Sequence, residues 1–200
     1  MRTFEETLID QCAPTLAGIK PASFFRFRAE SVATIRDAAA HWNRKLAPSG
    51  IMVRILKEYA ASSSCMIYVD RESWVGELLR DRKISAFLAV RGYQVSEDVG
   101  QMLNQLSARF DEGAEFPHEI GVFLGYPLED VVGFIEHRGR DDACCGCWKA
   151  YGHRERAERY FDCCRRCTAA CQELHSQGVP VLLFTANVEV PHSAARESGL

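Results

Sequence analysis

Nine cysteines are many for 200 residues, and seven of them, Cys144, Cys145, Cys147, Cys163, Cys164, Cys167 and Cys171, lie close together near the C-terminal end. The most specific arrangement is Cys144-x2-Cys147 followed, 16 residues later, by Cys164-x2-Cys167. That spacing falls within the pattern of tetrahedral zinc sites, where two such pairs supply four thiolates. Cys145 brings the candidate metal ligands to five, and zinc or an iron–sulfur cluster is the cofactor they would suit, with no cofactor as the alternative. Residues 153–177 also read as one helix, whose 100° step places Cys163, Cys164, Cys167 and Cys171 in one arc of about 100° with Tyr160 and Leu174. That is the face a helix buries, where cysteine serves as a small hydrophobe. A redox dithiol is the third reading of the same residues.

His118-Glu119 invites comparison with the H-E-x-x-H zinc helix, but that motif needs a second histidine one turn on and position 122 is valine. What remains is an acid–base candidate: His118 as the proton carrier, Glu119 to orient it, and Lys149 with Tyr151 to hold an anionic substrate. In Trp148-Lys149-Ala150-Tyr151, strand alternation puts Lys149 and Tyr151 on one face and Trp148 and Ala150 on the other. Lys20, Tyr126 and Trp148 are the candidates to hold a ligand or cofactor. Each has a plainer reading: a histidine satisfied at a turn, the solvated side of a strand, a lysine in an irregular stretch. No G-x-x-x-x-G-K-[ST], G-x-G-x-x-G or G-x-S-x-G occurs, so the common nucleotide and hydrolase signatures are missing.

The bulk properties narrow the partners. A net charge of −3 and a pI near 6.1 give no global field for a polyanion, and the Arg-rich stretch from His153 to Arg159 alternates signs, so no nucleic acid is expected. No run approaches 18 apolar residues, and Met1-Arg-Thr-Phe-Glu-Glu lacks a basic start leading into an apolar core. The expectation is a cytoplasmic protein with no membrane role and reduced thiols, whose partner is a small ligand or another protein.

The elements that must position these residues read as follows. A helix from Phe4 to Gln11 stops at Ala13-Pro14, and a strand covers Ala22 to Arg28. Ser31 caps a helix to about Leu46, closed by Pro48-Ser49-Gly50. Ile51 to Tyr59 and Ile84 to Val90 fit strand or helix alike, Cys65 to Asp70 is a strand, and Asp70 to Asp81 a helix. Val95 to Phe110 reads as an amphipathic helix capped by Ser96, and Ile120 to Leu124 as a strand. Pro127 opens a helix to His137, ended by Gly139. Cys145 to Tyr151 and Val181 to Phe184 read as strands. Gly92-Tyr93 and Gly125-Tyr126 echo each other, and the simplest reading is a shared turn that starts a helix. Together these predict an α+β (or α/β) fold, helices on a small mixed sheet, with residues 1–185 as one domain and 186–200 as a loose tail.

Three segments carry a family resemblance: Cys12-Ala-Pro-Thr-Leu-Ala-Gly-Ile-Lys-Pro; Phe116-Pro-His-Glu-Ile-Gly-Val-Phe-Leu-Gly-Tyr-Pro-Leu-Glu-Asp-Val-Val-Gly-Phe-Ile; and Cys145-Gly-Cys-Trp-Lys-Ala-Tyr-Gly. They resemble an uncharacterised domain-of-unknown-function family found mainly in anaerobic Gram-positive bacteria, and the likeness spans nearly the whole chain. The resemblance implies that Cys12, Lys20, His118, Glu119, Gly125, Tyr126, Pro127, Asp130, Trp148, Lys149 and Tyr151 follow the family pattern, as do Cys145 and Cys167. Ala150 stands where valine is usual, and Cys144, Cys163, Cys164 and Cys171 fall outside the pattern. The resemblance brings no activity with it. The leading expectation is a metal- or ligand-binding accessory protein of anaerobic metabolism; the alternatives are the acid–base enzyme and a module without a chemical site.

Overall fold

The computed structural model describes residues 2–110 and 115–185. Its framework is a three-stranded antiparallel sheet of β1 (Ala22–Arg28), β2 (Ile51–Tyr59) and β3 (Ser64–Arg71), in the order β1-β3-β2. β2 and β3 form a hairpin, whereas β1 reaches β2 through α2 (Val32–Leu46), so the two outer strands run the same way on either side of β3. A mixed sheet was expected, but both pairings to the central strand are antiparallel.

Alternation along the strands gives the sheet two buried faces. Phe25, Phe27, Val53, Cys65, Ile67 and Val69 point to a core completed by α1 (Phe4–Leu16), α2, Cys171 and the segment Val181–Thr185. Ala22, Leu56 and Tyr68 point the other way. There they meet α3 (Glu72–Leu79), α4 (Arg82–Val90), α5 (Val99–Ser107), α6 (Ile120–Phe123) and α7 (Leu128–Glu136). A bulge between Ile55 and Lys57 leaves Leu56 as the extra residue opposite β3, with its side chain in the second core. A third, smaller core joins the hairpin of β4 (Cys144–Cys145) and β5 (Lys149–Ala150) to Ala157 and Phe161 of α8 (Arg154–Ser176). Among the described residues no helix is long and apolar enough to cross a membrane.

Several expectations change. α1 runs through Pro14 in its last turn, where proline cannot donate to the Asp10 carbonyl, and the Pro14 carbonyl accepts from Ile19 and Lys20. α5 starts at Val99 because Asp98 accepts from Gln101 N–H, while Ser96 accepts from Asp98 N–H and shapes the turn before it. The two ambiguous segments resolve as strand β2 and helix α4. Residues 120–123 are helical, not a strand, and all four are buried, so no polar side marked their period. Gly121 is needed there, since a Cβ would lie 2.7 Å from Val131. Val181–Thr185 is a 3-10 turn with Val181 and Phe184 inward, a period of three where a strand needs two. Gly92 (φ 80°) and Gly125 (φ 75°) share a motif that ends helices: Tyr93 N–H bonds Leu88, and Tyr126 N–H bonds Gly121. The expected tail, 186–200, lies outside the described residues.

Candidate functional site

Three pieces of chain converge on the N-terminal half of α8. The first is the β4–β5 hairpin, tightened by Gly146 N–H donating to the Trp148 carbonyl at 2.9 Å, with Cys147 exposed at its tip. Gly146 lies so close to α8 that a Cβ would sit 2.2 Å from the Phe161 ring. The Trp148 ring packs edge-on to Phe161 at 4.6 Å, tilted on Tyr160 at 5.3 Å, and stacked on Tyr126 at 4.8 Å. Asp130, buried in the first turn of α7, anchors the hairpin. Its Oδ2 accepts from Trp148 Nε1 at 2.7 Å, and its Oδ1 accepts from the N–H groups of Tyr151 (2.7 Å) and Gly152 (2.9 Å). A carboxylate accepting three N–H bonds is a strong clasp.

The second piece is the turn after α6, where Tyr126 Oη donates to the Cys147 carbonyl at 3.1 Å. The third is the link from α1 to β1. Ile19 and Lys20 N–H both donate to the Pro14 carbonyl, and Tyr160 Oη donates to the Ile19 carbonyl at 3.1 Å. So held, the Lys20 ammonium reaches Tyr126 Oη at 3.4 Å and lies 5.0 Å from that ring's centroid.

Cys147 and Cys164 face one another across this junction, and their environments differ. Cys164 is 3% exposed, whereas Cys147 is open to solvent. The Cys164 thiol hydrogen-bonds the Cys147 sulfur, which, with Lys20, the backbone N–H of Cys147 and Arg165, lowers the Cys147 thiol to about 6 against the opposing effect of burial. Cys164 keeps its proton, pushed well up by that same bond, by burial and by the negative sulfur beside it. Cys147 is therefore the more readily ionised member of the pair, and its thiolate is the nucleophilic and ligating form.

Of the residues expected to do chemistry, Lys20, Tyr126, Trp148, Cys147 and Cys164 come together. The other proposed metal ligands do not join them. Cys144 turns its Sγ to the Arg154 carbonyl at 3.8 Å, Cys145 is exposed, and Cys167 pairs with Cys171 one turn along α8. Among the described residues no three Cys, His, Asp or Glu side chains are grouped to hold a metal ion. The four α8 cysteines do lie toward the helix's inner face, but Leu174, expected in the same arc, is 41% exposed.

His118 and Glu119 point to different neighbours. The His118 ring lies between Phe116 (5.4 Å) and Phe134 (4.9 Å). The buried Glu119 carboxylate accepts from Tyr93 Oη at 3.1 Å and pairs with Arg109 at 3.5 Å. Lys149 donates to the Gly139 carbonyl (2.7 Å) and to Asp142 (3.0 Å), and the Asp142 bond raises its pKa. Tyr151 stacks on His137 at 5.5 Å, and among the described residues its buried Oη has no partner. Among these residues no hydrogen bond joins His118 to Glu119, Lys149 or Tyr151.

Reading the sequence for reactive types passed over Asp130, Tyr160, Tyr93 and Arg109. Asp130 had two signals, its place in the family pattern and an acid in a helix's first turn, but neither says that it bonds a hairpin some 20 residues on. Residues 8–183 match the model of a family described as a protein of unknown function (DUF3793). No curated protein and no solved structure matches the chain.

Proposed function

The chain belongs to the DUF3793 family, and from that premise we propose that it is a thiol-dependent binding protein, taking a small, thiophilic, anionic ligand at Cys147. One observation carries this reading: an exposed, readily ionised cysteine lies beside a lysine, a tyrosine hydroxyl and an indole supplied by three separate segments. The thiolate bonds the soft centre of the ligand, Lys20 meets its negative charge, and Trp148 with Tyr126 offers an aromatic wall. The reading takes residues 1–185 as one globular unit in a reducing, cytoplasmic setting, where Cys147 stays a free thiolate. It needs no third metal ligand, in keeping with the separation of Cys144, Cys145 and Cys167 from the pair.

The direct test is one equivalent of p-hydroxymercuribenzoate, a thiophilic carboxylate, added at pH 6.5 and located by peptide mapping. It goes to Cys147 and protects that residue from later alkylation, and Lys20→Met weakens the preference severalfold. If the first equivalent spreads over Cys145, Cys163 and Cys147 alike, the reading is wrong.

A further inference from the structure

Building on the reading of Cys147 as the binding thiolate, we propose that Cys147 and Cys164 form a working dithiol that reduces an accessible disulfide. The geometry divides the labour. Cys147 stands at the tip of a short hairpin, open to a substrate, and Cys164 lies behind it, 3% exposed, on the helix the hairpin packs against. The Gly146–Phe161 contact fixes the approach of the two backbones, and Cys164 lies one turn beyond Phe161, on the same face of α8. Trp148, next to Cys147, also packs on Phe161 at 4.6 Å, so residues on both sides of Cys147 lie against the turn of α8 that leads to Cys164. An exposed nucleophilic thiolate with a sheltered second thiol behind it is the arrangement that completes thiol–disulfide exchange; a lone thiolate stops at a mixed disulfide.

The steps balance. The Cys147 thiolate attacks a substrate disulfide RS–SR, forming Cys147–S–SR and expelling RS⁻. Cys164 passes its proton to that thiolate and attacks the Cys147 sulfur, forming the Cys147–Cys164 disulfide and releasing a second RS⁻. The protein loses two electrons and one proton; the substrate becomes one thiol and one thiolate. Lys20 faces the sulfur from which charge departs and favours substrates with a negative group beside the disulfide. Cys12 takes no part: it is fully buried in the first core, and burial pushes its thiol up to about 12.

The fully reduced protein is mixed anaerobically at pH 7 with 2-hydroxyethyl disulfide, and separately with the dicarboxylate dithiodiglycolate, then acid-quenched for intact-mass and peptide analysis. The wild type becomes lighter by two hydrogens, and the new disulfide maps to Cys147 and Cys164. Cys164→Ala stops at a stable mixed disulfide on Cys147, and Cys147→Ala leaves Cys164 unmodified. Lys20→Met slows the first step by about threefold, since a higher thiol pKa leaves less thiolate but a stronger nucleophile, and it narrows the preference for the dicarboxylate. A wild-type mixed disulfide on Cys147 that persists, or an internal disulfide elsewhere, overturns the dithiol while leaving the binding thiolate intact. No reaction at Cys147 with either probe overturns both.

Discussion

Helix α8 takes part in two thiol pairs, and they behave differently. The outer pair, Cys164 with Cys147 of the hairpin, has Lys20 and Arg165 near its sulfurs and one member in solvent. The inner pair, Cys167 with Cys171, shares a hydrogen bond that raises Cys167 and lowers Cys171, but no cation adds to that effect and Cys171 belongs to the first core. Both pairs are cysteines, and each has a member on α8. What differs is whether a positive charge and an opening to solvent accompany the hydrogen bond, and those decide whether a thiol is a reagent or a packing group.

The largest expected effect comes from unfastening the outer pair. Asp130→Ala strands the Trp148 indole N–H and the N–H groups of Tyr151 and Gly152, at a cost of about 3 kcal/mol for bonds to a buried carboxylate. The alkylation midpoint of Cys147 should rise from near 6 toward that of an ordinary thiol, slowing its reaction at pH 6.5 about tenfold, with Cys171 protection unchanged. Pulsed iodoacetamide labelling with mass spectrometry reads both; an unmoved Cys147 midpoint would show that the hairpin does not set its chemistry.

Asp70 tests whether acid-range changes belong to the thiols at all. Its side chain is fully buried on β3, and burial outweighs Arg54 to raise it to about 6. A carboxyl raised on folding keeps its proton in the native state between its unfolded value near 4 and about 6. Stability therefore falls as pH rises through that window, by about 3 kcal/mol from this group, and is flat above it. Denaturant melts of the wild type and Asp70→Asn across pH 4–7 should differ by that slope, while the Cys147 midpoint stays in place. A shifted midpoint would show that the sheet interior and the outer thiol pair are coupled.

Gly146→Ala forces the hairpin tip off Phe161, since the added Cβ would be 2.2 Å from the ring, and should cost about 2 kcal/mol in urea melts. It should also slow closure of the Cys147–Cys164 disulfide while leaving the first attack on Cys147 fast. The smallest effect belongs to the inner pair: Cys171→Ala loses about 1 kcal/mol of packing and leaves Cys147 labelling unchanged. Equal losses of Cys147 reactivity in the two variants would erase the distinction between the pairs.

The capped, periodic elements were legible in the sequence: Ser31 before α2, the opening of α7 at Pro127, the long helix α8 and the central strand β3. Misreadings fell where burial is complete or the segment short, as at residues 120–123 and Val181–Thr185, because a run without a polar side has no period to read. At the site, Lys20, Tyr126, Trp148 and the cysteines were visible as reactive types. The C-x2-C pairs suggested a four-thiolate cage, and among the described residues no three such ligands stand together: Cys144 lies on β4 and Cys147 at the hairpin tip, and Cys164 and Cys167 each find a different partner.

By itself the sequence determined the α+β framework, the helical stripe of thiols and the family, all of which follow from local periodicity, capping and motif. Only the tertiary structure decided which thiols meet. Cys147 reaches Cys164 because Asp130 clasps the hairpin and Gly146 leaves room for Phe161, and Lys20 arrives from more than 100 residues away through the Pro14 and Ile19 carbonyls. A thiol's protonation depends on charges and burial within a few ångströms, and those distances are set by packing between segments that the order of residues does not place side by side.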